Sequence, residues 1–486
     1  MTSRLIDPET QKLDIQWLTV ILLSLLFGIS TLFIVKLPPK WIPLVILALL
    51  FPFVAMVIGG LRKMLLALIL LDIPLQLDIA LGSFGTLDNT GTIDGYIVSL
   101  TTICLVALYV LWILDYLVNR DTVHHPLRRP NIYLTLYIAI TCLSMLTGEL
   151  QRLASFEIFL LVQIFFLYLY LINKTHHKND LQFIVAILLV GLSLESLIII
   201  LMQVMGQGFN FAGIMGNIYG QSPTPGDFSR IGGTLVSANT AGSYLSMLLA
   251  PAFSIMVTGQ KRTFKGLAMI AFVLGVFALV LTGSRGAWLA TLISFIIFSI
   301  VALRMGWLQI RLVLIGVVIG LLISIIFYGL LYERIFGYDA GSATSRIEQY
   351  HVAFQIIKDH PIFGVGANGY FIALAQFLTR NPNQEVFRWV VHNKYLLVWA
   401  EIGILGLLFF LMFLVSTVRQ GFKIVQFNDT FISPLALAFT AAIVGQMVHM
   451  FVDVFHGRIQ VQLLWTVAAL LMAMSYLHKT KQIPER

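Results

Sequence analysis

Residues able to hold an anion and to move a proton gather in a few short stretches of this chain. Leu281-Thr282-Gly283-Ser284-Arg285-Gly286-Ala287-Trp288 forms a very short turn between two apolar runs. Gly283 and Gly286 flank the Ser284-Arg285 pair and leave backbone amides open to an anion. The plainer reading of Arg285 is a side chain snorkelling at a membrane surface. Because position 282 is Thr, the stretch is not a G-x-S-x-G nucleophile elbow. Arg230 opens a second stretch, Arg230-Ile231-Gly232-Gly233-Thr234, which leads on to Asn239. In a third, Ser345-Arg346-Ile347-Glu348 has the pattern of a capping box. Ile347, Tyr350, Phe354 and Ile357 then recur at helical spacing until Pro361. Arg346 would stand beside a helix N-terminus that attracts anions, or the helix would simply hold this segment to the membrane. His392-Asn393-Lys394 closes the segment. The imidazole of His392 can change charge near neutral pH and suits general-base work, although an interfacial polar residue has the same address.

Other patterns exclude chemistry. Gly364, Gly366 and Gly369 spell G-x-G-x-x-G, but no strand precedes them and no βαβ unit surrounds them, so a turn with close backbone approach is expected instead of a dinucleotide site. No Asp-x-Asp and no H-E-x-x-H occurs, which removes the usual carboxylate pair for a metal-bound sugar nucleotide. Two cysteines inside apolar runs, Cys104 and Cys142, build neither a disulfide framework nor a zinc site.

The elements that must position these residues follow from composition. The chain has 486 residues, 58% hydrophobic and 11% charged, with mean hydropathy +0.90. Soluble domains are usually near a quarter charged, so the expected class is an all-α polytopic membrane protein. A span needs about 20 apolar residues. By that rule about fourteen are expected, near 17–35, 41–60, 64–80, 96–118, 131–147, 153–172, 181–204, 240–257, 266–282, 287–303, 312–331, 395–416, 432–450 and 459–477. Asp72, Pro74 and Asp78 interrupt the third, which reads as a broken or re-entrant segment that only surrounding protein could tolerate. The division expected is 1–331 as N-terminal transmembrane helices, 332–394 as one long outward loop with short helices and the catalytic groups, and 395–486 as C-terminal transmembrane helices.

The net charge of +8 sets the orientation. With the N-terminus inside, nineteen Lys and Arg fall in inward segments. Six fall in short outward loops: Lys36, Lys40, Arg152, Arg230, Arg285 and Arg458. Positive charge favours the cytoplasmic side, so both termini are expected there and the long loop is expected to face outward. Glu195, Glu157 and Asp115 lie within spans, where a functional role and interhelical pairing are equally good accounts. The doublets His124-His125 and His176-His177 read as solvated cytoplasmic positions.

The ordered set Thr282-Gly283-Ser284-Arg285-Gly286, then Arg346 with Pro361, Gly364 and Gly366, then His392-Asn393 leading to Glu401, Gly403 and Gly406, resembles the O-antigen ligase-like family of O-antigen ligases and polysaccharide polymerases. The resemblance is specific over 230–410. It implies an active site in the long outward loop, with Arg285 and Arg346 on the diphosphate of an undecaprenyl-linked glycan and His392 activating the acceptor hydroxyl. Arg230, Ser284 and Asn393 are expected to help bind the diphosphate or glycan. The expected partners are that donor, a sugar acceptor (lipid A-core or a growing polysaccharide) and the bilayer. No cofactor, metal or nucleic acid is expected. Where the family usually has Trp four positions after the loop arginine, this chain has Tyr350.

The chemistry is self-consistent. A diphosphate leaves well once its growing charge is stabilised, and two guanidinium forks can do this without a metal. Attack by a sugar hydroxyl on the anomeric carbon opposite the diphosphate inverts its configuration. The alternative from another class is a transporter or flippase for lipid-linked glycans, which should carry polar residues through many spans and show pseudo-symmetric broken helices.

Overall fold

The computed structural model describes residues 59–85, 90–118, 127–211, 214–219, 230–235, 237–336, 342–381 and 389–481. The expected spans 17–35 and 41–60 lie outside the described residues. Each of the other twelve contains a helix. In chain order the helices are α1 (Leu61–Leu75), α2 (Leu100–Val118), α3 (Ile132–Ser144), α4 (Gln151–Lys174), α5 (Lys178–Met205), α6 (Ala238–Val257), α7 (Arg262–Thr282) and α8 (Arg285–Arg304). They continue with α9 (Ile310–Ile326), α10 (Tyr328–Phe336), α11 (Ser342–Asp359), α12 (Tyr370–Arg380), α13 (Lys394–Val425), α14 (Ile432–His449) and α15 (Arg458–Lys481). Among the described residues nine helices are long and apolar enough to cross a membrane, and α3 and α9 are shorter apolar helices. This is a multi-pass membrane protein.

Helices α6, α14 and α15 are buried nearly all round and form the centre, with α8 and α13 against α14 and α4 against α15. Small residues allow the close approaches: a Cβ on Gly445 of α14 would run into Ala290 of α8, the small-residue packing expected where lipid offers no hydrophobic driving force. Helix α9 is the opposite case, with no buried residue at all.

The expectation of an all-helical chain needs one correction. Two small antiparallel sheets are present, β1 (Asp78–Leu81) with β2 (Tyr96–Ser99), and β3 (Phe209–Phe211), β4 (Ile214–Tyr219) and β5 (Arg230–Gly233) in that order. β3, β4 and β5 occupy a connection between expected spans, whereas β1 and β2 take the end of the expected span 64–80 and the start of 96–118; in both places pairing satisfies backbone groups that no helix reaches. The interrupted third span is resolved the same way. Helix α1 stops after Pro74, Gln76 turns left-handed at φ 50°, and β1 follows. Asp72 closes the end by accepting from the Leu77 and Thr101 amides, the Thr101 hydroxyl and Arg458 Nη1 at 2.7–3.0 Å. Arg458 was expected as an outward-loop charge; it is instead buried against Asp72 and Asp78.

Helix α13 is two helices in line, broken at Gly403 (φ 78°, ψ −176°). The break exposes backbone groups that lipid could not satisfy, and the chain itself fills it. Val365 and Gly366 amides donate to the Ala400 and Glu401 carbonyls at 2.9 Å, and the Ile404 amide donates to the Pro361 carbonyl at 3.2 Å. This is the close approach expected of the glycine run. Gly364 (φ 67°) and Gly366 (φ 92°) lie against Glu401 and Gly148 with no room for a Cβ, and a Cβ on Gly403 would overlap the Ile362 carbonyl.

Candidate active site

The candidate side chains gather where α10, α11 and the start of α13 approach the α7–α8 turn. The first group comes from the α7–α8 turn. Helix α7 ends at Gly283 in the left-handed conformation, and α8 begins with Arg285. Ser284 stands at the N-cap, yet its hydroxyl donates to Asn239 Oδ1 at 3.1 Å and gives no side-chain cap to α8. The first-turn amides of a 20-residue helix thus remain an anion-attracting end, with Arg285 as its first residue.

Two further arginines brace this turn. Arg230, opening β5, donates from Nε to the Thr282 carbonyl (3.2 Å) and from Nη2 to Asn239 Oδ1 (2.6 Å). Arg334, on α10, donates from Nε to the Gly283 carbonyl at 2.8 Å. Carbonyls at a helix C-terminus are natural acceptors for guanidinium groups. Burial pushes the Arg230 pKa down to about 10, and the charges of Arg334, Arg346 and Arg285 push the same way against Asp453. Four guanidinium groups therefore share one electrostatic neighbourhood, an arrangement that attracts an anion of more than one charge.

The second group lies on α11. This helix starts at Ser342, three residues before the expected capping box, so Ser345 and Arg346 lie inside the helix and not at its end. The apolar stripe is also rotated from the one expected. Gln349, Val352, Ala353, Ile356 and Ile357 are buried, while Ile347 and Phe354 are exposed. Competition between near-equivalent apolar positions explains the error, since the packing partner decides which face turns inward.

One turn after Arg346, Gln349 meets His392. Its Oε1 accepts from the His392 amide at 3.2 Å and lies 3.0 Å from His392 Nδ1. Because that oxygen already takes an N–H from the backbone, the amide orientation is fixed and Nδ1 must be the protonated nitrogen. Nε2 is left with a lone pair. Trp389 stacks on the ring at 6.3 Å, and Tyr350 Oη donates to the His392 carbonyl at 3.2 Å and the Phe451 carbonyl at 2.5 Å. Burial lowers the His392 pKa, with Asp453 opposing and Arg346 assisting.

The remaining expected residues are placed less directly. Ser284 and Asn393 are buried, and Asn393 caps α13 by accepting from the Tyr395 and Leu396 amides at 3.0 and 3.1 Å. Their visible work is to hold the turns that carry Arg285 and His392. Sequence reasoning passed over Gln349, Arg334 and Asp453, and named Asn239 without giving it a role. Asp453 is buried, held by Gln460 Nε2 at 2.6 Å, and faces both His392 and Arg230. Two signals were available: Gln349 falls one turn from Arg346, and Asp453 is the lone acid between the last two spans.

Residues 270–411 match a family model described as O-antigen ligase. The match supports an O-antigen ligase-like family. This O-antigen ligase-like region runs from α7 into α13, so Arg285, Arg334, Arg346, Gln349 and His392 all fall inside it. Arg230 and Asp453 join the same neighbourhood from either side of it. None of the curated proteins matches the chain.

Proposed function

We propose that this protein is a membrane glycosyltransferase that moves a glycan from an undecaprenyl-diphosphate carrier to a sugar hydroxyl, as an O-antigen ligase or polysaccharide polymerase. The observation that carries the reading is the convergence of Arg230, Arg285, Arg334 and Arg346 beside a histidine whose Nε2 is free to accept a proton. Arg285, Arg346 and the first amides of α8 would hold the donor diphosphate. Their charge would stabilise the leaving group as the glycosidic bond breaks. His392 Nε2 would take the proton of the acceptor hydroxyl as it attacks the anomeric carbon from the opposite side, so the product is inverted. The arginines supply the positive charge that a metal supplies in other transferases, and the reaction is proposed to be metal-independent. The chain is proposed to sit in the bacterial plasma membrane with both termini cytoplasmic, which places the site at the outer face.

A groove supports a lipid-linked donor. Leu407 and Leu411 of α13, Val444, Met447 and Val448 of α14, Tyr395 and Phe451 line an almost wholly apolar space of about 450 Å³. Its Phe451 end is where Tyr350 and His392 meet. A polyprenyl chain would enter there from the bilayer with its diphosphate toward the arginines. The flippase alternative draws on the break at Gly403, but the chain's own backbone fills that break.

Purified wild type and Arg285→Ala, Arg346→Ala and His392→Ala variants should be given a lipid-diphosphate glycan with either lipid A-core or a second lipid-linked glycan. Transfer should be lost in each folded variant and survive EDTA in the wild type. Activity persisting in all three variants would overturn the reading, and the product formed separates ligase from polymerase.

A further inference from the structure

A second polar cluster lies deeper, and its argument does not depend on the transfer reaction. Glu157 of α4, Lys394 and Glu401 of α13 and His456 before α15 are all buried. Ligand atoms of Glu157, Glu401 and His456 lie within 4.8 Å of one another, a spacing that could hold a metal ion. In addition, Glu157 Oε2 is buried without a hydrogen-bond partner. The space beside it, about 10 Å³ between Glu157, Lys394, His456 and Tyr137, has room for one water at most.

The imidazole decides against a metal. Lys394 Nζ, which can only donate while charged, lies 3.5 Å from His456 Nδ1. Nε2 lies 3.4 Å from Asn368 Oδ1. The Asn368 amide is fixed by the Ile93 amide donating to Oδ1, and by Nδ2 donating to the Ile93 and Leu153 carbonyls. Nε2 therefore carries the hydrogen, Nδ1 is taken, and neither nitrogen has a lone pair for a metal. Nδ1 also lies 3.7 Å from Glu157 Oε1, beyond hydrogen-bond reach, and burial beside Lys394 holds the His456 pKa well below the usual histidine range, so His456 counts as neutral.

Counting charge then leaves one ammonium against two carboxylates. The other titratable groups facing them, Tyr137 of α3 and Tyr370 of α12, are phenols and add no positive charge. An uncompensated buried charge is costly. We propose that the cluster is a proton-binding site: Glu401 carries the proton toward the unpartnered Glu157 Oε2, and Glu157 remains ionised beside the small space it shares with Lys394. Glu401 already accepts from the Tyr370 amide at 3.2 Å, and its backbone carbonyl accepts from Gly366. The proton therefore sits at the joint where the 360–370 segment fastens into α13. Losing it puts two carboxylates against one ammonium at that joint. The folded state binds a proton that the unfolded chain does not hold at neutral pH, so stability falls as pH rises.

Infrared spectra and pH-dependent melting of the full-length protein in bilayers, as wild type, Glu401→Gln and Glu157→Gln, test this. At neutral pH the wild-type spectrum should contain a carboxylic-acid carbonyl band that Glu401→Gln lacks and Glu157→Gln keeps. Wild-type melting temperature should fall toward alkaline pH, and Glu401→Gln should be flat. A difference spectrum without that band, or its loss in Glu157→Gln alone, overturns the proposal. So does failure of Glu401→Gln to fold, because the amide matches a neutral acid in shape and charge.

Discussion

Gln349 Oε1 takes two N–H groups from a single residue, the backbone amide and Nδ1 of His392. One oxygen thus fixes both the position and the tautomer of the proposed base. Replacing it by leucine keeps the volume and removes the acceptor. Gln349→Leu is expected to lower kcat by about 10- to 100-fold, up to the lower end of the roughly 10²–10⁴-fold that general-base catalysis contributes, because the base is misoriented and not removed, with little change in donor KM. Steady-state kinetics on a lipid-diphosphate donor would check this, and an unchanged kcat would remove His392 from the base role.

The pH dependence follows from burial. A general base works when neutral, so activity should rise with pH through the His392 pKa, which burial places below the ordinary 6.5. The rate should be flat across neutrality on that limb. Asp453 opposes the shift, so Asp453→Asn should move the acid limb to still lower pH. A limb that moves upward would contradict the electrostatic assignment.

Among the arginines, the bracing pair should behave differently from the proposed diphosphate pair. Arg285→Lys and Arg346→Lys keep the charge but lose the planar fork, and kcat should fall by about 10²-fold, toward the loss seen when one transition-state donor is removed. Arg334→Lys, which gives up one bond to the Gly283 carbonyl, should lose less than tenfold. Equal losses at all positions would argue that the four form one undivided site.

Asn393 was expected at the substrate and is found capping α13. Asn393→Ala should therefore cost about 1 kcal/mol of stability, and Asn393→Asp should restore it. A change in donor KM at equal stability would return Asn393 to the substrate.

The Asp72–Arg458 pair is buried on both sides. Removing one partner, as in Arg458→Met, should destabilise by about 3–5 kcal/mol because an uncompensated carboxylate is left inside. Reversible unfolding in detergent would measure it.

Much of this was readable in advance where a single physical requirement dominates. Apolar run length located helices in all twelve described spans, and the glycines at 364 and 366 announced a close backbone approach. Arg285, Arg346 and His392 stood out as candidates because charged and titratable residues are rare in such a chain. What was not legible depends on partners distant in sequence. The inward face of α11 is chosen by what packs on it, so Ile347 was expected inside and is exposed. Arg458 read as a loop charge because nothing local reveals Asp72, which its guanidinium reaches across 386 positions. Gln349 is an ordinary helix residue until His392 is placed against it.

The filled break in α13 also determines what can be exchanged. The 360–370 segment and α13 complete each other's main-chain hydrogen bonding, which is indifferent to side-chain identity apart from the glycines. Under the proposed reaction, acceptor preference is free to drift on the faces of α11 and α12 away from Arg346, Gln349 and Tyr350 while the fastening stays intact. A graft of 332–394 alone onto a relative would arrive without its socket. Chimeras meant to transfer specificity should cut after Gly403, carrying the nearly three turns of α13 that precede the break as part of the transplanted unit.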